Sequence, residues 1–331
     1  MNTRFNFNNR NGFTIVELLV SMLIMSVALL VLFSLIEQTS TVWRRSSDKM
    51  EAFQNGRAAF DLLTRSLSQA TLNTYLDYDN ITAPTTYLRK SDLRFLVTPA
   101  GAGGIPGSQG TGQGVFFQAT ANRTDDSAAY GGMDGLLTTC GFYVEFGSDA
   151  ASKPSFVTAP ARYRYRLMQL IVPTENNRIY AVTDNTWFTG FSSKALPVAD
   201  NVIALILRPQ DPGMTTAPAA LSGVTPPNLT ANYTYNSAAT FSGTQPPTSN
   251  QLPPLVHVTM VVLDESSAKR LENGTTEPTA IKAAMADKFT DPAQYAADID
   301  ELEKALNTSL PPLSYRIFTS VVPIRESKWT K

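Results

Sequence analysis

The apolar run from Phe13 to Ile36 constrains this chain more than any other feature. At 1.5 Å per helical residue it reaches about 36 Å, enough to cross a hydrocarbon core of roughly 30 Å with some tilt. One carboxylate, Glu17, sits just inside it. An acid at the centre of a membrane helix costs on the order of 2.5–3.5 kcal/mol on insertion scales, so intramembrane acids are usually paired and functional. The bland alternative is a glutamate snorkelling near the cytoplasmic interface.

Residues 1–12 ahead of the run form a short polar leader with Arg4 and Arg10 and no acidic residue, which is a targeting profile. A cleaved signal peptide would use a site such as Ser26-Val27-Ala28, yet the apolar character continues through Phe33. A plain signal anchor explains the length and leaves Glu17 and the Gly12–Phe13 junction without a role. The only cysteine, Cys140, lies far from any N-terminal acylation position, which excludes a lipoprotein.

A third reading rests on the stretch "GFTIVELLVSMLIMSVALLVL", which resembles the prepilin N-terminus of type IV pilin-like proteins. Gly12, Phe13 and Glu17 all fall in register with that motif. The resemblance implies that a prepilin peptidase cuts between Gly12 and Phe13 and methylates the new amino terminus at Phe13. It implies further that Glu17 pairs with the terminal amine of a neighbouring pilin or pseudopilin as helices bundle into a filament. The freed amine lies four residues from Glu17, on one helix face. The leader would then lie inside, the anchor would cross the inner membrane once, and the body would be periplasmic.

The 331 residues are 43% hydrophobic and carry 27 Lys+Arg against 28 Asp+Glu, so one anchor plus one sizeable globular domain is the natural expectation. A near-neutral balance argues against nucleic acid as a partner. One cysteine forbids an internal disulfide, and one histidine leaves a His/Cys zinc site short of ligands. No cofactor is expected.

Beyond Ile36 the chain lacks proline as far as Asn73 and keeps an apolar spacing at Trp43, Met50, Phe53, Phe60, Leu63, Leu67 and Ala70. Those intervals describe one helix face and predict a single helix from Phe13 to about Leu72. Gly56 reads as a weak spot costing about 1 kcal/mol relative to alanine. Eight segments read as strands: "LRFLV" from Leu93, "GVFFQ" from Gly114, "CGFYVEF" from Cys140, "RYRYRLMQLIV" from Arg162, "NRIYAV" from Asn177, "NVIALILR" from Asn201, "LVHVTMVVLD" from Leu255 and "SYRIFTSVVPI" from Ser314. The glycine-rich stretch from Ala100 and the Pro/Thr-rich stretch 210–254 read as surface loops. "TAIKAAMADKF" and "DPAQYAADIDELEKALN" read as helices, the second with Asp291 as N-cap and Pro292 at its first position. The domains expected are a leader at 1–12, a membrane or filament helix at 13–36, its continuation at 37–75, and a globular domain at 76–331 with a helical insertion at 277–307. The fold class is α+β and pilin-like, a long N-terminal helix packed on a mainly antiparallel sheet.

"FQNGRAAFDLLTRSLSQA", "RYRYRLMQLIVPTENNRIY", "VADNVIALILRPQD", "LPPLVHVTMVVLD" and "YRIFTSVVPIRES" together resemble the helix and strand order of the J-type minor pseudopilins of type II secretion. A prepilin-like protein C of a verrucomicrobial cassette is similar in overall plan. Stretch 210–254 and the helical insertion depart from the J-type pattern.

Catalytic signals are weak. His257 alternates with apolar neighbours and reads as structural, and no serine triad is supported around it. The glycine-rich stretch fails as a dinucleotide fingerprint, because Pro106 stands where the third glycine would fall. Asp125, Asp126 and Asp134 are weak calcium candidates without the EF-hand pattern, and a solvated turn is the simpler reading. Arg162, Arg164 and Arg166 share one strand face, with Tyr163 and Tyr165 on the other. That stripe suits either an ordinary amphipathic strand or a surface for an acidic partner or polysaccharide. The function expected is a minor pseudopilin or minor pilin, a structural subunit and not an enzyme. The alternative is a membrane-anchored enzyme or binding module carrying a prepilin-type anchor.

Overall fold

From Ile15 to Ser68 the backbone is one helix of 54 residues, α1. The computed structural model describes residues 14–212, 229–308 and 312–327, and the chain divides into two compact units, residues 1–48 and 49–331. In the first unit every described side chain from Thr14 to Ser47 is exposed. Residues Ile15–Trp43 are long and apolar enough to cross a membrane.

In the second unit α1 is one-sided. Gly56, Ala59, Phe60, Leu63 and Leu67 are buried at helical spacing. The expected face therefore begins later than predicted, because Met50 stays exposed, as does Trp43 in the first unit. The helix also ends earlier, at Ser68 rather than about Leu72. Gln69 and Ala70 donate back to the Ser66 and Leu67 carbonyls at 3.1 Å each, and Thr71 then donates to Gln118 at 2.9 Å, drawing the chain into a sheet.

After α1 come β1 (Tyr75–Tyr78), β2 (Tyr87–Lys90), β3 (Leu96–Pro99), β4 (Gln113–Thr120), α2 (Ser127–Tyr130), β5 (Leu137–Ser148), β6 (Tyr163–Val172), β7 (Ala195–Asp200), β8 (Val202–Pro209), β9 (Tyr235–Asn236), β10 (Leu255–Leu263), α3 (Glu265–Leu271), α4 (Thr279–Met285), α5 (Tyr295–Thr308) and β11 (Tyr315–Pro323). The fold is α+β. Six strands pair antiparallel in the order β7-β6-β5-β4-β3-β9, three in the order β11-β10-β8, and β1-β2 form a separate hairpin. Buried apolar side chains on β4, β5, β8 and β10 join those of α1 in one core.

Two glycines permit close approaches. Gly56 brings α1 down onto β10 and β11: a Cβ there would stand 3.2 and 3.3 Å from the Val262 methyls and 3.4 Å from the Phe318 ring. The weak spot in the helix is thus a contact point. Gly112, at φ +96°, leaves no room for a side chain, since a Cβ would lie 2.0 Å from the Leu205 carbonyl oxygen. Leu205 N–H donates to Thr111 at 2.9 Å and Leu207 N–H to the Gln113 side chain at 2.9 Å, so the glycine-rich stretch stitches the two larger sheets together.

Two expectations need correction. "NRIYAV" forms turns rather than a strand, because the Asn177 side chain takes the Ile179 N–H at 3.1 Å and bonds Gln118 and Thr139 at 2.8 and 3.1 Å. An Asx side chain that satisfies its own neighbours competes with ladder formation. The Pro/Thr-rich stretch 210–254 is not all surface: beyond residues 213–228, which lie outside the described ones, Tyr233, Tyr235 and Leu252 are buried and β9 pairs with β3. The late helices form in part: α4 stops at Met285, with Asp287 and Phe289 at positive φ beyond it, and Asp291, accepting from Ala293, caps a 3-10 turn over Pro292–Gln294 that leads into α5.

Candidate functional site

The start of α1 is organised by two residues three positions apart, Thr14 and Glu17. Thr14 N–H and Oγ1–H donate to Glu17 Oε2 at 3.0 and 3.1 Å, and Glu17 N–H donates to Thr14 Oγ1 at 3.3 Å. This reciprocal pair is a capping box, which satisfies two of the helix's unpaired N–H groups. The carboxylate thus already has a partner within its own helix. The signal was legible as Thr-x-x-Glu ahead of an apolar run, and the sequence reading missed it. Gly12 and Phe13 lie outside the described residues.

Two arginines of the stripe at the start of β6, Arg162 and Arg164, meet the chain's own acids. Arg162 meets Glu265 at 2.9 Å; Arg164, only 9% exposed, meets Glu265 at 3.0 Å and Glu272 and Asp200 at 3.5 Å. Arg166 donates to the Ser148 carbonyl at 2.6 Å. Asn201, at φ +63° in the β7–β8 turn, adds a bond to Glu265 at 2.9 Å. Burial alone would raise the Glu265 pKa, but the hydrogen bonds from Asn201 and Arg164, with the charges of Arg164 and Arg162, hold it below the usual carboxylate range. The stripe ties β6 to α3, whose N-cap Asp264 accepts from Ser267 at 2.8 Å. Arg162 and Arg164 are thus engaged by acids of the same chain, which favours the ordinary amphipathic-strand reading.

The aspartates do not form one ligand set. Asp125 pairs with Lys194, whose hydrogen bond pulls the carboxyl below its ordinary pKa. Asp126 caps α2 by accepting from Ala129 at 3.0 Å, and Asp134 is exposed. Among the described residues no three His, Cys, Asp or Glu side chains converge into a metal-holding group.

His257 stands on β10 between Arg208 and Val321, half-buried; burial and then the Arg208 charge lower its pKa. Burial pushes the Cys140 thiol up to about 11, so it is no nucleophile near neutrality. A cavity of about 200 Å³ between Leu72, Tyr75, Leu76 and Leu252 is apolar, and Arg89 at its wall is engaged by the Ser249 and Pro246 carbonyls.

Residues 7–33 match the prokaryotic N-terminal methylation motif. No curated protein matches the chain. The chain carries a prepilin-type N-terminus of the kind found in type IV pilin-like proteins, continuous with a helix able to cross a membrane.

Proposed function

We propose that this protein is a minor pseudopilin or minor pilin, a structural subunit of a type II secretion or type IV pilus-like filament. The observation that carries this reading is a methylation motif that runs directly into an apolar helix with no buried side chain. Such a helix needs lipid or sister helices for cover. A prepilin peptidase would cut between Gly12 and Phe13 and methylate Phe13, leaving a single-pass inner-membrane anchor with the domain in the periplasm. The likeness to J-type minor pseudopilins, and to a verrucomicrobial prepilin-like protein C, supports a place among minor subunits.

Glu17 has two uses in this scheme. Within one chain it caps its own helix through Thr14. In the assembly it would turn to the methylated amine of a neighbouring subunit, exchanging a neutral partner for a charged one. Mass spectrometry of the mature protein is expected to give an N-terminal methylated phenylalanine at Phe13. Glu17→Ala is expected to be inserted and processed normally yet to lose most inter-subunit cross-linking in membranes. An intact leader, a cut near Ala28, or unchanged cross-linking would overturn the reading.

A further inference from the structure

The outer edge of β11 has a hydrogen-bonding parity that can be read residue by residue. Asp264 N–H donates to Ser314 at 2.9 Å and Ile324 N–H to Pro254 at 3.1 Å, in the same register as the β10–β11 ladder. In an antiparallel pair, residues bonded to the neighbouring strand alternate with residues whose N–H and C=O point away. Arg316, Phe318, Ser320 and Val322 therefore bond to β10, whereas Tyr315, Ile317, Thr319 and Val321 turn their backbone groups outward. No backbone bond to a described residue reaches those outward groups.

The other margins of the two larger sheets are blunted. β7 is six residues long, contains Pro197 and pairs with a register shift; β9 has two residues; the free side of β8 is stitched to Thr111 and Gln113. β11 runs nine residues against β10 without a shift, and its one proline, Pro323, stands at the end. Open edges of that length are templates for another strand unless they are protected.

Charge distinguishes among occupants. Arg316 is exposed, lies over the Phe53 and Phe318 rings at 5.9 and 6.0 Å, and forms no ion pair among the described residues. A second copy could pair antiparallel in registers centred on Phe318 or Thr319, which engage Ile317, Thr319 and Val321 of both. Arg316 then falls opposite Ser320 or Val322, neither of which is an acid.

We propose that β11 is a strand-addition site for an extended segment of a different polypeptide. That segment exchanges main-chain hydrogen bonds with Ile317, Thr319 and Val321, carries β-branched or aromatic residues at alternate positions, and presents a carboxylate to Arg316. The inference rests on the β11 edge alone and stands whether or not the helix enters a filament.

The test uses the full chain in its native membrane, with a benzophenone side chain at Val321 and, as control, at the exposed Leu196 of β7. The expected result is an adduct with a different polypeptide at Val321 and none at Leu196. Thr319→Pro deletes an outward N–H while sparing every bond to β10, and should lower the adduct at least tenfold; Arg316→Glu should lower it severalfold. If Thr319→Pro disturbs folding, Thr319→Lys keeps both backbone groups, sets a charge on the edge and must show the same loss. An adduct only with a second copy, an adduct indifferent to these substitutions, or no polypeptide adduct at Val321 would overturn the proposal.

Discussion

Leu23 and Leu63 lie on the same helix, yet Leu23 is 65% exposed and Leu63 is fully buried. Around Leu23 the helix is apolar on all sides, so no face is distinguished and no described residue buries it. Around Leu63 the apolar residues keep to one stripe, with Asp61 and Arg65 exposed beside it. A helix that is hydrophobic all round belongs in a membrane or a large core, whereas a one-sided helix is completed by its own domain. One continuous backbone element thus carries two surfaces, one apolar all round and long enough to cross a membrane and one a stripe completed by its own domain, and side-chain distribution distinguishes them.

The strongest way to break this contrast is truncation to alanine on either side. Leu63→Ala should destabilise the folded domain by about 2–5 kcal/mol, the usual cost of emptying a packed leucine site. Leu23→Ala should leave denaturant unfolding of the same domain within about 0.5 kcal/mol of the parent. A chain beginning at Thr39 should stay soluble and unfold cooperatively. Aggregation of every version with the start varied by several residues would erase the distinction between the two stretches.

Gly56 sharpens the contrast at the contact itself. Gly56→Leu should cost about 1–3 kcal/mol in thermal or denaturant unfolding, because the new side chain must enter space held by Val262 and Phe318. Gly56→Ala should be close to neutral, since about 1 kcal/mol of helix propensity is gained against a tight contact. A stabilising Gly56→Leu would mean that α1 does not seat there.

The smallest effect is expected from the ion network that ties β6 to α3. Glu265 has a folded pKa below its ordinary 4.5, so its contribution is fully present above that value and is lost as pH falls through the lower folded pKa. Glu265→Gln should therefore cost about 1 kcal/mol at neutral pH, since Glu265 is itself partly exposed and Asp200 and Glu272 remain beside the buried Arg164. The gap between parent and variant should close in acid. A gap that widened as pH fell would reverse the sign and remove Glu265 as the organising carboxylate.

Much of the fold is legible in the sequence. β4, β5, β6, β8, β10 and β11 coincide with β-branched and aromatic runs, and the expected aspartate-proline start opens the 3-10 turn that leads into α5. β1, β2, β7 and β9 were missed because each is short and carries little apolar periodicity of its own. At the candidate site Glu17 was conspicuous from its surroundings, but its bond to Thr14 was overlooked although only three residues separate them.

What the sequence determined by itself is whatever depends on neighbours within a few residues: the apolar stretch, the helical stripe from Phe60 to Leu67, the longer strands and the aspartate-proline turn at Asp291. Tertiary structure alone decided the rest. Arg164 finds Glu265 across 101 positions and Leu207 finds Gln113 across 94, and no local pattern encodes which distant group will arrive. The alternation in "RYRYR" states that three arginines share a face; only the packing of α3 against β6 turns that face into an internal clasp. Gly112 follows the same rule, since its lack of a side chain matters only because the Leu205 carbonyl comes to occupy that space.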